Sequence, residues 1–394
     1  MFIYIVVILG LFVTAIKDMI WPMTSETRNK VFWFWVVVLI LFKGLRWDTG
    51  TDWSQYCATF YRAEWGNIFR FYRYGFGTTL MEPLYVFMNV LVKTFLPHYT
   101  FFLLATNAFI LIVFGKFMQK YVNRGQLIAL ATFLVATEFF PVRQTLTFPI
   151  LCIAYKYIID RNLKLFTVCM VINFFIHRSS LIMFPLYWVL GTEFKLKRSY
   201  IIYIACLVGS EIFYRLFSAF NTSEFLISIT GGITETYDAT HDAMQAQQEG
   251  VTWLDKLFTF ANTGLQLYLF NYAFMRLKMV IKNPEIVHMY NLCINVYLVL
   301  ICLNAIALNP GFGSLYRITN AFWTIYPICV AFTVVYFLNS NKYLLALCIF
   351  MALFAIKLQS QSIMHPENEG FELFVPYKSF LQEDESVRSG SWIF

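Results

Sequence analysis

The chain has 394 residues, of which 59% are hydrophobic, 20% aromatic and only 13% charged, with a formal net charge of +7. So little polar surface cannot cover a water-soluble globule, which excludes a soluble enzyme and leaves a polytopic membrane protein. The positive balance does not point to nucleic acid, because Lys and Arg are dispersed through short loops where membrane orientation accounts for them.

Crossing a bilayer takes roughly 20 apolar residues. By that measure the hydrophobic runs predict an all-α integral membrane protein with about twelve transmembrane helices, at 1–16, 31–45, 99–117, 126–140, 143–159, 164–176, 180–191, 200–217, 253–278, 287–308, 318–338 and 342–358. The first run lacks a basic leader and a small-residue cleavage site, so it is expected to stay as a helix. Residues 45–98 are expected to form an outer loop containing two helices that do not cross. In the first, Trp53, Tyr56, Cys57, Phe60 and Tyr61 recur at helical spacing, the stripe of an amphipathic helix lying along the membrane surface. The second, Leu84–Phe95, is short and interrupted by Lys93, and is expected to be re-entrant or interfacial.

The short runs either side of His177 place their junction below the membrane surface, where it lines a protein cavity. Basic residues in short loops, such as Lys116, Lys120, Arg124, Lys195, Lys197 and Arg198, mark the cytoplasmic side. The segment 218–252 has no Lys or Arg but carries Glu224, Glu235, Asp238, Asp242 and Glu249, and is expected as an acidic outer loop. A polar outer-face tail follows over 359–394, and residues 1–394 are expected to form a single membrane-embedded domain. The eight cysteines stand singly, with no disulfide or CxxC pattern. No H-E-x-x-H or clustered His/Cys set occurs, so neither a metal nor a cofactor is expected.

Charge is costly near hydrocarbon, so the few ionisable groups at the ends of apolar runs are the candidate site. Arg46, Arg143 and Arg317 each stand at a helix end assigned to the outer face, and their planar donor forks suit phosphate oxygens. Interfacial snorkelling is the plainer reading of each. Gln144 adds donors beside Arg143. Asp52 can accept a proton from a sugar hydroxyl, or cap the amphipathic helix that follows it. Asp48 can pair with Arg46. His177, followed by Arg178, Ser179 and Ser180, can act as a general base, bind phosphate once protonated, or be a hydrogen-bonded structural residue. Glu82, just before Pro83, is a second acidic group or a carboxylate favoured by the helix dipole. Asp48-Thr49-Gly50 spells an aspartic-protease triplet, but it occurs once and no β-rich domain presents it.

Arg46 with Gly50-Thr-Asp52 and Tyr56, then Glu82-Pro-Leu-Tyr85, Arg143-Gln-x-Leu, His177-x-Ser179 and Pro376-Tyr377 in the tail together resemble the EpsG-like family of bacterial polysaccharide polymerases, the Wzy-type repeat-unit polymerases. The resemblance runs over most of the chain. The chain departs from the pattern at Thr147, where a small residue, typically Ala, follows Arg-Gln-x-Leu. It departs again at Pro149, which is expected to kink the same helix.

The resemblance implies a glycosyltransferase at the outer face of the bacterial cytoplasmic membrane. A growing glycan on undecaprenyl diphosphate is moved en bloc to the non-reducing end of a lipid-linked repeat unit, without a metal. Arg46, Arg143 and Arg317 would bind the diphosphate, Asp52 or His177 would take the acceptor proton, and Asp48, Tyr56, Glu82, Gln144 and Ser179 would bind or support. The implied partners are the undecaprenyl-diphosphate-linked donor and acceptor, membrane lipid, a flippase and a chain-length regulator, with no nucleic acid. The rival readings are another lipid-linked glycosyltransferase or ligase, and a polysaccharide flippase or transporter, whose substrate paths also use intramembrane charge and broken helices.

Overall fold

The computed structural model describes residues 1–50, 52–69, 81–137, 139–140, 143–217, 253–308, 319–366 and 371–382. These residues are helical and contain no strand. The helices are α1 (Phe2–Ile20), α2 (Ser25–Gly44), α3 (Trp53–Arg62), α4 (Pro83–Phe95), α5 (Tyr99–Val122), α6 (Gln126–Ala136) and α7 (Phe148–Ile159). They continue with α8 (Leu163–Ile176), the single turn α9 (Tyr187–Leu190), α10 (Leu196–Phe217), α11 (Trp253–Leu277), α12 (Pro284–Ala307), α13 (Tyr326–Asn339) and α14 (Tyr343–Gln359). Among the described residues, four helical stretches are long and apolar enough to cross a membrane: Phe2–Ile20, Tyr99–Ala136, Pro284–Ala307 and Asn320–Asn339. With the shorter apolar helices, they make this a membrane-embedded, all-helical chain.

The chain divides into two compact units, one formed by Met1–Phe184 with Tyr326–Phe394 and the other by Pro185–Ile325. The first is built around α6, in which all eleven residues are buried, Gln126 and Thr132 among them. A helix apolar nearly all round belongs inside a bundle, and α1, α2, α5, α13 and α14 pack about it. α1 and α2 are pinned at their turn by a buried ion pair between Asp18 and Arg28, 2.6 Å apart. α2 and α5 meet at Gly44, where a Cβ would lie 2.9 Å from the Leu104 Cα, so the contact requires glycine. Helix starts follow local chemistry: Thr24 and Asn162 accept from the backbone N–H groups of Thr27 and Leu165, and Pro83 and Pro149 sit in the first turns of α4 and α7.

In the second unit α10 and α11 both pack on α12. Interhelical hydrogen bonds join them, as expected where apolar packing alone gives no preference over lipid. Tyr297 OH donates to Gln266 Oε1 at 3.0 Å and Tyr203 OH lies 2.6 Å from Thr263 Oγ1, while Asn295 Nδ2 of α12 donates at 2.8 Å to Leu190 O at the end of α9.

Three expectations need correction. The run 180–191 is not a spanning helix: a 3-10 segment, Arg178–Met183, is followed only by the one-turn α9. The apolar stripe of α3 does not lie on the membrane. Trp53, Tyr56, Cys57 and Phe60 are buried in a cluster with Tyr85, Tyr99 and Phe102 of α4 and α5, because those helices supply an aromatic wall. Pro149 kinks nothing, since a 3-10 turn (Gln144–Thr147) precedes it and it lies in the first turn of α7, where its missing N–H is not needed.

The helix α4 is about 20 Å long at 1.5 Å per residue, less than the roughly 30 Å of hydrocarbon. Lys93, which interrupts its apolar run, donates to Tyr61 O at 2.5 Å and Ala63 O at 3.1 Å, capping the C-terminal carbonyls of α3. The loop 218–252 and Arg317 lie outside the described residues.

Candidate active site

Four chain segments, far apart in sequence, meet at the first turn of α4. Glu82 stands at its N-cap position, yet its side chain makes no cap hydrogen bond. Instead Oε2 accepts from Arg143 Nη1 at 3.0 Å and Oε1 from the backbone N–H of Arg178 at 3.2 Å. One carboxylate therefore holds both the Arg143 turn and the end of α8. Both side chains of the pair are largely buried, at 11% and 5% exposure, so removing either partner would strand the other charge away from water.

Arg143 is the centre of this cluster. Its guanidinium carbon lies 5.9 Å from the centroid of the Tyr56 ring, and Nη1 also approaches Met81 Sδ at 3.3 Å. Burial opposes its charge, but Tyr56, Glu82, Tyr85 and Asp52 outweigh that, and its pKa is raised above the usual value. Burial likewise pushes the Tyr56 phenol up, keeping it protonated. Asp52 is exposed at the start of α3 and makes no cap hydrogen bond there. Tyr56 OH reaches its Oδ2 only at 3.4 Å, which leaves the carboxylate open for another donor.

His177 ends α8 in an extended conformation, with φ −155° and ψ 111°. Its Nδ1 accepts from the Ser179 backbone N–H at 3.3 Å and lies 2.6 Å from Ser179 Oγ. Burial, with Arg143 and Arg178 beside it, pushes its pKa down to about 3. The ring is thus neutral, and with Nδ1 accepting, the proton is assigned to Nε2.

Arg46 is 1% exposed. Nη1 donates to Phe140 O at 2.6 Å, the guanidinium covers the Phe140 ring at 4.7 Å, and Nε has no hydrogen-bond partner. Burial lowers its pKa to about 10, with the Tyr99, Tyr4, Tyr377 and Tyr85 hydroxyls acting in the opposite sense, so it remains a cation at neutral pH. The tail straps its loop in place: Trp47 N–H donates to Lys378 O at 2.9 Å, Gly50 N–H to Leu373 O at 2.7 Å, and Phe380 N–H to Leu45 O at 2.9 Å. Asp48 faces Lys378 Nζ at 3.8 Å. Asp48-Thr49-Gly50 is the tight turn under this strap, with Gly50 at φ +108°, where a side chain would also press on Phe140.

Asp52, Tyr56, Glu82, Arg143, His177 and Ser179 are therefore brought together. Gln144 opens the 3-10 turn next to Arg143, while Arg46 and Asp48 sit under the tail strap. The chain matches the EpsG family over residues 29–379, a span containing every candidate residue. The chain belongs to the EpsG family. EpsG-like proteins are Wzy-type polymerases, which assigns the chain in general terms to polysaccharide polymerisation in a membrane. Comparison with curated proteins and with solved structures gave no match.

Two contributors to the site of this EpsG-family chain were not anticipated from the sequence. The Glu82–Arg143 pair joins residues 61 positions apart, and spacing carries no information on such a contact. Lys378 stands beside the Pro376-Tyr377 motif and could have been found from it, as the charged residue following a pair already singled out.

Proposed function

We propose that this EpsG-family chain transfers a growing glycan from undecaprenyl diphosphate to the non-reducing end of a lipid-linked repeat unit at the outer face of the cytoplasmic membrane. The acceptor hydroxyl attacks the anomeric carbon of the donor glycan, the bond from that carbon to the phosphate oxygen breaks, and undecaprenyl diphosphate leaves. Charge developing on the diphosphate is met by Arg46 and Arg143, since preorganised donors act most strongly in a water-poor site; Arg317, the third arginine expected from the sequence, lies outside the described residues. The arginines would do this without a metal.

Asp52 takes the acceptor proton in this reading. It is the exposed carboxylate of the cluster, whereas His177 Nδ1 is engaged by Ser179 and Nε2 is a donor. His177 would hydrogen-bond the substrate or hold the turn. The observation that carries the reading is the juxtaposition of an exposed carboxylate with a buried, carboxylate-held guanidinium, Asp52 and Arg143, across the Tyr56 ring.

Analysis of lipid-linked oligosaccharides in a deletion strain tests it. A polymerase mutant retains single capped repeat units, whereas accumulation of unflipped units would replace this reading with a flippase. Purified protein with lipid-linked units and excess chelator should still polymerise.

A further inference from the structure

The charges at the cluster do not favour a diphosphate if Arg143 is its only cation. Asp52 and Glu82 are both carboxylates, His177 is neutral, and Arg143 is shared with Glu82. Among the described residues of the cluster this leaves an excess of one negative charge, which would repel a phosphate group. Among the described residues, Arg178 is a further cation whose backbone is held at this cluster. Its backbone N–H is fixed on Glu82 Oε1 at 3.2 Å, so its position is set by the same carboxylate that holds Arg143. The charge of its guanidinium, like that of Arg143, is felt at the His177 ring. The side chain is half-buried and has no hydrogen-bond or ion-pair partner among the described residues.

We infer that Arg178 is a binding residue for the donor's diphosphate, supplying the uncompensated positive charge that Arg143 cannot. Arg143 is neutralised by Glu82 and rigid. Arg178 springs from a backbone anchored on the same carboxylate, carries its own five donors, and turns a net-negative cluster into a neutral one that a diphosphate can enter. The inference rests on the polymerase reading above. It deepens that reading by naming the cation that recognises the phosphate.

The test uses the purified full-length protein in detergent, with undecaprenyl diphosphate as the probe and undecaprenol as the control lacking phosphate. Wild type is expected to bind the diphosphate, and Arg178→Gln to bind it roughly tenfold more weakly, the loss of a charge-assisted hydrogen bond. Undecaprenol binding and the ligand-free melting temperature should be unchanged. Arg178→Lys, which keeps the charge, should bind more tightly than Arg178→Gln. In turnover assays the KM for the donor should rise more than kcat falls. Diphosphate binding within twofold of wild type in Arg178→Gln would overturn the inference while leaving the polymerase reading intact. Equal losses in both variants with lowered melting temperatures would assign Arg178 to folding and also overturn it. Failure of wild type to bind the diphosphate would overturn the polymerase reading itself, and the inference with it.

Discussion

Glu82 and Arg143 form a buried ion pair at 3.0 Å in which the carboxylate's second oxygen is already committed to the Arg178 backbone. Loss of either member leaves the other charged and without its partner, at a cost of about 3–5 kcal/mol. Glu82→Ala and Arg143→Ala are each expected to lower the melting temperature in detergent, and the double variant to lose less than their sum. Arg143→Lys retains charge but not the planar fork. Its abundance should stay near normal while polymer falls sharply, as read from gel profiles of the polysaccharide. Full-length polymer in Arg143→Lys would remove the fork from the mechanism.

Asp52→Asn should reduce turnover by roughly 10²- to 10⁴-fold, the usual contribution of a positioned base. Binding of the lipid donor should hardly change, because the carboxylate acts on the acceptor. Steady-state kinetics with purified lipid-linked units separate the two effects. Wild-type turnover in Asp52→Asn would exclude it as the base.

His177 is held down to about 3 against its ordinary 6.5. Between those values the unfolded chain binds more protons at this residue than the folded one, so stability rises with pH there and is lost as pH falls from about 6.5 toward 3. His177→Gln should flatten that dependence, measured as melting temperature between about pH 4 and 7. An identical pH slope in wild type and variant would show that the buried neutral imidazole contributes nothing to it.

The tail strap makes a specific amide prediction. Trp47 and Gly50 donate to Lys378 and Leu373 carbonyls, so removing residues 371–394 should speed their hydrogen exchange roughly tenfold or more. Tyr377→Phe, which deletes the 2.9 Å hydrogen bond to Phe42 O, should cost about 1 kcal/mol and keep the strap closed. Unchanged exchange at Trp47 and Gly50 after truncation would mean the loop holds itself.

Orientation can be read at Gly66, where an added Cβ meets nothing within 4 Å. Gly66→Cys, in a background without the exposed Cys348, should react with an impermeant maleimide added to intact cells. Reaction only after the inner membrane is opened would place the 45–98 loop in the cytoplasm.

Composition determined that this is a membrane protein, and the long apolar runs determined that it crosses as helices, because a single segment surrounded by hydrocarbon satisfies its own backbone only as a helix. The costliness of charge near hydrocarbon also made the candidate residues legible, since each of Arg46, Asp52, Glu82, Arg143 and His177 interrupts or ends an apolar run. What the sequence could not convey was which of these charges answers which. Glu82 reads equally well as a helix-start carboxylate, and only the packing of α4 against α8 turns it toward Arg143 and Arg178. The periodic stripe of α3 likewise predicted a helix correctly but not its neighbour, because an apolar face is satisfied as well by an aromatic wall as by lipid. Short apolar runs were the least legible: 180–191 has the composition of a membrane helix, yet His177 and Ser179 close a turn there and the chain proceeds in 3-10 geometry. Hydropathy reports how badly a segment wants to leave water, while partners, turns and charge pairing depend on residues tens of positions away that only the tertiary structure brings into contact.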